Sequence, residues 1–363
     1  YGIYRARDLM RASVTLRADW LKKLGLKRPT TLSELENVMH AFTTEDPDGD
    51  GKADTYGMVL NKWNGLGNGA PWEIVATWLG APNGWGKKNG RLYPAFMSPD
   101  YLKALQWFRE AIKAGEINPD FATSTDSLEQ SFINGTGGSF IQPAYAMADL
   151  STRTTTAKLA NIYTFTGNLK ADTTPHAWST LGYSGMLAIP KASVKTKKQL
   201  RGVLAFIDAT CAQNAQVLIT NGIRGQNFKV DPDDSTYAEP INTNTTAYHN
   251  IVNQTTNIAQ IQTAVDLTKA YLIVPKPLQK LATRRYQTMA KDQLSAVYNE
   301  TAPYVSKTYS AKGDQLDTII ENAQIAYMSG QLSDAGWQAA IDQWLTKGGQ
   351  QVINEYTNSA NTH

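Results

Sequence analysis

The residues best suited to chemistry lie close together. The stretch DPDGDGKADTYG, residues 46 to 57, sets Asp46, Asp48 and Asp50 on alternate positions, with Asp54 following. Carboxylates are hard oxygen donors, and alternate residues of a tight loop can all point inward, which suits Ca2+. In register with an EF-hand loop, these residues fill positions one, three, five and nine. Gly51 stands at the sharp turn, and Lys52 at position seven offers only its backbone carbonyl. Position twelve is Gly57 where a sensor EF-hand carries a bidentate Glu, and TYGMVLN beyond it reads as a strand where a sensor has a helix. The expectation is a structural Ca2+ site without a helix-opening switch. The bland reading is a solvated acidic turn, but four aspartates this close repel one another without a cation. No His, Ser or Glu cluster flanks the loop, which argues against catalytic use of the metal.

Elsewhere the chemistry is sparse. The single cysteine, Cys211, sits in the apolar, helical FIDATCAQNAQVLI and reads as a structural thiol; one cysteine allows no intrachain disulfide. The formal net charge of +3 comes from scattered Lys and Arg, not the clustered basic face of a nucleic-acid binder. It leaves room for an acidic ligand. No run of about 18 apolar residues exists to span a membrane.

The elements that must position these residues are legible from periodicity and punctuation. In RPTTLSELENVMHAF, Thr31 is a candidate N-cap with Glu34 as capping-box partner, and Leu32, Leu35, Val38, Met39 and Phe42 recur at helical spacing. This helix delivers the chain into the acidic loop. SPDYLKALQWFREAIKAGEINPDF predicts an amphipathic helix capped at Ser98 or Asp100 and stopped by Gly115. SLEQSFINGTGGSFIQP predicts a helix, a Gly-rich turn and a short strand, and YSGMLAIPKAS a strand ended by Pro190. KQLRGVLAFIDATCAQNAQVLITNGI predicts one long helix stopped by Gly222. The polar stretch 229–270 reads as loops with short helices. From KGDQLDTIIENAQIAYMSGQ onward the chain is helical, with Gly348 and Gly349 between the last two helices. Strands interleaved with helices over 363 residues indicate an α/β protein of two domains or lobes.

Several stretches together resemble one family. LRADWLKKLGLKRPTTLSELENVMHAFTTEDPDGDGKADTYGM is similar to the calcium-loop segment of extracellular solute-binding proteins of ABC importers (family 1), in the lipoprotein-type sugar-binding group related to alginate-oligosaccharide binders. APNGWGKKNGRLYPAFMSPDYLKALQWFREAIKAGEINPDF resembles the segment that follows, GYSGMLAIPKAS a strand crossing between lobes, and TNGIRGQNFKV a GxxG turn. The C-terminal helices resemble the end of these proteins, so the likeness covers nearly the whole chain. Two departures from the pattern stand out: Thr55 follows Asp54 where such loops often place an acidic residue, and Gln226 and Asn227 stand where an aromatic or His is usual.

The resemblance implies a type II periplasmic-binding-protein fold, with a ligand held between α/β lobes. Residues 7–182 and 305–363 would form the C-terminal lobe with calcium loop 46–57. Residues 187–300 would form the remaining part of the N-terminal lobe, and 1–6, 183–186 and 301–304 the hinge crossovers. YGIY at the start resembles the first crossover strand, so the expectation is that the first part of the N-terminal lobe lies outside this sequence. The implied partners are an oligosaccharide, ABC permease subunits and that further segment of the same protein. The implied location is extracytoplasmic, as a cell-surface lipoprotein or in a periplasm.

Sugar rings present apolar C–H faces to aromatic planes and hydroxyls to amides and charged groups. Aromatics on helical stripes, Trp20, Trp107, Phe108, Trp337 and Trp344, read as core. Those in polar loops, Trp63, Tyr145 and Trp178, are ligand candidates, as is Tyr183 before the crossover strand. Loop packing is the competing explanation for each. Arg224 and Asn227, in the GxxG-like turn, could reach hydroxyls or a carboxylate; His176 reads rather as a surface-loop histidine. Two other functions compete: a carbohydrate-active enzyme (glycosidase or lyase) using dispersed carboxylates such as Asp120 and Glu129, and a calcium-stabilised adhesion module. No catalytic set stands out.

Overall fold

The computed structural model describes residues 2–63, 65–259, 261, 263 and 270–362. The chain divides into two compact units, one of Met10–Thr180 with Gln287–His363, the other of Tyr1–Leu9 with Leu181–Tyr286. The boundary runs through the Gln279–Gln293 helix. Residues 287 to 300, expected with the 187–300 segment, therefore belong to the larger unit. The reason is local: Asp292 accepts hydrogen bonds from the Asn168 backbone and side chain, both at 2.9 Å, and Val297 pairs with Trp178 in a short parallel ladder.

The larger unit is built on a three-stranded antiparallel sheet with Ser13–Arg17 at its centre, between Ser139–Gln142 and Tyr163–Thr166. Every residue of the central strand is buried. Arg17 ends it inside the core, forked onto Asp19 at 2.8 and 2.6 Å and lying over the Trp20 ring. The Leu32–Thr44 helix forms as its sequence predicts, with the Thr31–Glu34 capping box closed and Leu32, Leu35, Val38, Met39 and Phe42 turned inward. The Pro71–Trp78 helix is buried on all sides, its two polar residues, Glu73 and Thr77, included. The Pro99–Lys113 helix starts at Ser98. The hairpin Trp85–Lys88 and Arg91–Pro94 turns through Asn89 and Gly90, both at positive φ (51° and 76°), the geometry of a type I′ turn. Trp344 packs against Phe96 and Trp85 at 5.1 and 6.4 Å between ring centroids. A Cβ on Gly349 would lie 2.0 Å from Trp344, so only glycine fits between the last two helices. Of the aromatics read as core, Trp20, Phe108, Trp337 and Trp344 are buried, and Trp107 packs partly buried against them.

The segment TYGMVLN is not a strand. Its backbone bonds go to different neighbours in turn: Tyr56 N–H to Thr136, Met58 N–H to Glu116, Val59 N–H to Ser139. Isolated bridges result where one continuous ladder was expected.

The smaller unit holds an antiparallel pair, Gly2–Ala6 with Tyr183–Ala188, and a three-stranded sheet with Tyr237–Pro240 at its centre. The expected long helix is two, Lys197–Ala209 and Gln213–Asn221, bent by 65°. Buried Gln216 explains the break: its Nε2 donates to the Thr210 carbonyl at 2.9 Å and takes the place of the next helical turn. Gly222, at φ 85°, stops the second helix. The polar middle contains a longer helix than expected, Thr246–Ala259. None of the Lys197–Ala209 side chains is buried, and Phe206 is 60% exposed. Cys211 is half-buried, its Sγ 3.9 Å from the Ile207 carbonyl.

Candidate functional site

The acidic loop closes as a donor cluster. Asp46, Asp48 and Asp50 each offer a carboxylate oxygen within 4.8 Å of the others. The backbone wraps around Asp46, whose two oxygens accept the Gly49 and Gly51 N–H groups at 2.9 and 3.2 Å. Gly49 and Gly51 both take left-handed φ, and Asp46 does so too. Lys23 reaches across to the Asp46 carbonyl at 2.8 Å, and Lys52 Nζ pairs with Asp50 at 3.0 Å. The hydrogen bond from the Lys52 side chain, and after it that from the Lys52 backbone N–H at 2.9 Å, hold the Asp50 carboxyl below its ordinary range. Asp54 lies outside the cluster among the described residues. Three hard carboxylates on a glycine-bent turn fit Ca2+, the ion that takes an oxygen-only set.

The exit from the loop explains its missing Glu. A Cβ on Gly57 would stand 2.3 Å from the Met39 carbonyl oxygen and 2.6 Å from Met39 Cα. No side chain fits where the chain docks on the Leu32–Thr44 helix. Gly57 N–H donates to Thr43 Oγ1 at 2.9 Å, and buried Thr55 donates to the Phe42 carbonyl at 2.7 Å. Thr55, which departs from the family pattern, is thus a docking residue.

A second feature of the larger unit brings together chain segments that neighbour three of the aromatic candidates. Gly69 sits so tightly that an added Cβ would meet Trp178 at 2.7 Å and Pro143 at 2.9 Å. The turn after Trp63, the segment before Tyr145 and the Trp178 strand therefore meet at one point. Trp178 is buried, its edge on Gly69 and its backbone N–H donating to Asn168 Oδ1 at 2.9 Å. Asn168 Oδ1 also accepts the Trp78 indole at 2.8 Å. Tyr145 is buried with its ring edge-on to Phe165, 5.0 Å between centroids. Trp63 is half-buried against the core, and its indole N–H has no hydrogen-bond partner among the described residues. The same holds for the Nε2 of Gln142, beside Pro143 and 9% exposed. Sequence reasoning missed Gln142, because a glutamine at a strand end carries no signal until its burial is known.

It also missed the carboxylates under the turn. Glu73, buried, accepts the N–H groups of Gly67, Gly69 and Ala70 at 2.6, 2.9 and 3.1 Å. Glu321 accepts those of Gly65 and Leu66 at 2.8 and 3.0 Å. Burial pushes the Glu73 carboxyl up to about 7, against the pull of its three N–H donors.

In the smaller unit, Tyr183 pairs with Ala6 and its ring lies 4.7 Å from that of Tyr4. Arg224 is exposed. Asn227 is turned inward: it is 1% exposed, and its Oδ1 accepts the Ile223 N–H at 2.9 Å under Gly222. Its carboxamide shapes the turn. His176 is half-buried. Of the dispersed carboxylates, Asp120 accepts from Asn118 at 2.8 Å and Glu129 from Ser127 at 2.5 Å, both local structural bonds.

No family model matches the sequence. The chain is 36% identical over 358 residues to lipoprotein LipO of Bacillus subtilis, covering 98% of this chain and 70% of that protein. It is 31% identical over 360 residues to the polygalacturonan/rhamnogalacturonan-binding protein YtcQ of the same organism, covering 98% and 69%. Among solved structures, a solute-binding protein of Bifidobacterium longum infantis that binds HMO and is associated with an ABC transporter superposes with a TM-score of 0.70 at 18% identity, covering 99% of this chain and 76% of that one. An EF-hand mutant of the substrate-binding protein FusA of Streptococcus pneumoniae, solved with fructo-nystose, superposes with a TM-score of 0.61 at 16% identity, covering 100% and 75%. With its strand and helix order, its two-unit division and relatives matched along nearly its whole length, the chain belongs to the extracellular sugar-binding solute-binding proteins of ABC importers, of type II periplasmic-binding fold.

Proposed function

We propose that this chain captures an oligosaccharide outside the cytoplasm and delivers it intact to the permease subunits of an ABC importer. The observation that supports this reading is the meeting at Gly69 of the turn that follows Trp63, Pro143 of the segment before Tyr145, and Trp178. Trp63 is the principal stacking residue, with Tyr145 and Trp178 shaping the surface behind it. The Trp63 indole N–H and the Gln142 amide nitrogen are buried behind this surface and have no hydrogen-bond partner among the described residues. The name of the YtcQ relative puts acidic pectin fragments first in a test panel, with neutral fructans and glucans beside them.

Calorimetric titration against that panel tests the reading, with chromatography of the recovered sugar to detect cleavage. Trp63→Ala should weaken binding by about 1–3 kcal/mol, the range of a truncated aromatic anchor, with little change in melting temperature. A large drop in melting temperature with unchanged affinity would make Trp63 a packing residue. Sugar returned cleaved would favour an enzyme.

Ca2+ in the 46–57 loop is proposed as a structural ion held by Asp46, Asp48 and Asp50, with the Lys52 carbonyl and Asp54 completing the set. The exposed apolar side chains of the smaller unit, Leu204 and Phe206 among them, support a further proposal: polypeptide of the same protein outside this sequence covers them.

A further inference from the structure

We propose that Glu73 and Glu321 are positioning residues for ligand recognition, together gripping the turn Gly65–Ala70 by its backbone and so setting how Trp63 is presented. The inference rests on the reading of Trp63 as a ligand contact. Packing holds the Gly69 end of the turn against Trp178 and Pro143. Gly65, Gly67 and Gly69 all take left-handed φ, and glycine contributes no side chain to pack. Its N–H groups point inward instead. Those of Gly65 and Leu66 go to Glu321 on the Lys307–Met328 helix, and those of Gly67, Gly69 and Ala70 go to Glu73 on the Pro71–Trp78 helix. Two helices thus hold adjacent halves of one turn.

Both oxygens of Glu73 are occupied by N–H donors, so a proton on either one displaces a hydrogen bond. Burial makes protonation of Glu73 accessible, and the like charge of Glu321 adds to it. Glu321 approaches from its helix as a like charge, and buried Tyr101 approaches from the Pro99–Lys113 helix with its hydroxyl bound to Gln324 at 2.7 Å. The strands Ser139–Gln142 and Ala177–Trp178 bring no titratable group. The turn is therefore held most firmly when Glu73 is ionised, and it loosens as the pH falls through neutrality.

The test compares Trp63→Ala, Glu73→Gln and Glu321→Gln in the full chain, the last because a change at buried Glu73 risks misfolding. Amide exchange of Gly65–Ala70 reports the turn, and trigalacturonate and kestose serve as binding probes. Each Gln variant should speed exchange of these amides about tenfold or more, as expected for the loss of charge-assisted hydrogen bonds, and leave the Leu32–Thr44 amides unchanged. Affinity for whichever probe binds should fall in parallel. In the parent chain, Trp63 fluorescence should titrate near neutral pH, and that transition should vanish in Glu73→Gln. Unchanged exchange in Glu321→Gln overturns the proposal. So does faster exchange with full affinity, provided that Trp63→Ala weakens binding. If Trp63→Ala binds as the parent does, the ligand-contact reading itself fails, and the recognition role of the carboxylates falls with it.

Discussion

Gly57 is a single residue that determines what kind of metal loop this chain can have. A sensor EF-hand places a long carboxylate at this position. Here the Met39 backbone fills the space where even a Cβ would go. Gly57→Ala should therefore destabilise the chain by about 1–3 kcal/mol or more, the cost of overpacking a site that cannot relax. Gly57→Glu should be worse, with no gain in calcium affinity. Urea unfolding with and without calcium separates the two effects. The remaining donors act by mass action on the folded chain alone. Calcium at about 100 times its dissociation constant adds roughly 2.7 kcal/mol, so chelation should lower the melting temperature and Asp48→Ala should mimic it. Sugar affinity measured well below the melting point should then change little. A direct calcium dependence of affinity in a folded chain would make the loop part of the ligand site.

At the scale of elements, buried Glu73 and half-buried Glu321 link the Pro71–Trp78 and Lys307–Met328 helices to one turn, and the buried member gives a pH signature. The Glu73 pKa is raised from 4.5 to about 7 in the folded chain. Its contribution to stability is fully present below about pH 4.5 and is lost as pH rises through about 7, at a cost of about 3 kcal/mol. Stability and order of the turn should thus run in opposite directions between these limits. Thermal melts of the parent should show the decline, and Glu73→Gln should flatten it. The Glu355 carboxyl, held at about 2 by bonds from Ser306 and Thr308, runs the other way: its contribution is present at neutral pH and disappears only in strong acid. The two windows do not overlap, so the melts can assign each.

Over the whole molecule, the two units differ in what they bury. The larger wraps a continuous apolar core around its sheet and the Pro71–Trp78 helix. The smaller leaves Leu204, Phe206 and Leu218 at 41%, 60% and 47% exposure on its bent helix pair. Apolar surface of this kind is stabilising only when covered. Hydrogen exchange on this chain should find the Lys197–Ala209 amides weakly protected beside those of the larger unit. The same amides should become protected in a longer form of the protein. Equal protection in both forms would mean that the helix needs no cover.

What the sequence determined by itself was local or collinear. The Thr31–Glu34 capping box, the inward face of the Leu32–Thr44 helix, the Ser98 cap and the order of the aspartates depend on spacing along one segment, and helical periodicity makes such spacing visible. The family was legible for the same reason, since order and spacing survive divergence. The tertiary structure decided everything that depends on partners distant in sequence. TYGMVLN looked like a strand because its residues suit one, but its neighbours alternate. The 198–222 helix looked continuous because Gln216 gives no sign of its hold on Thr210. Asn227 looked available for a ligand, yet its carboxamide closes its own turn. Glu73 and Glu321 were invisible as a pair, because backbone N–H groups carry no letter in a sequence. Which carboxylate meets them is settled only when two helices, far apart in the chain, come to the same turn.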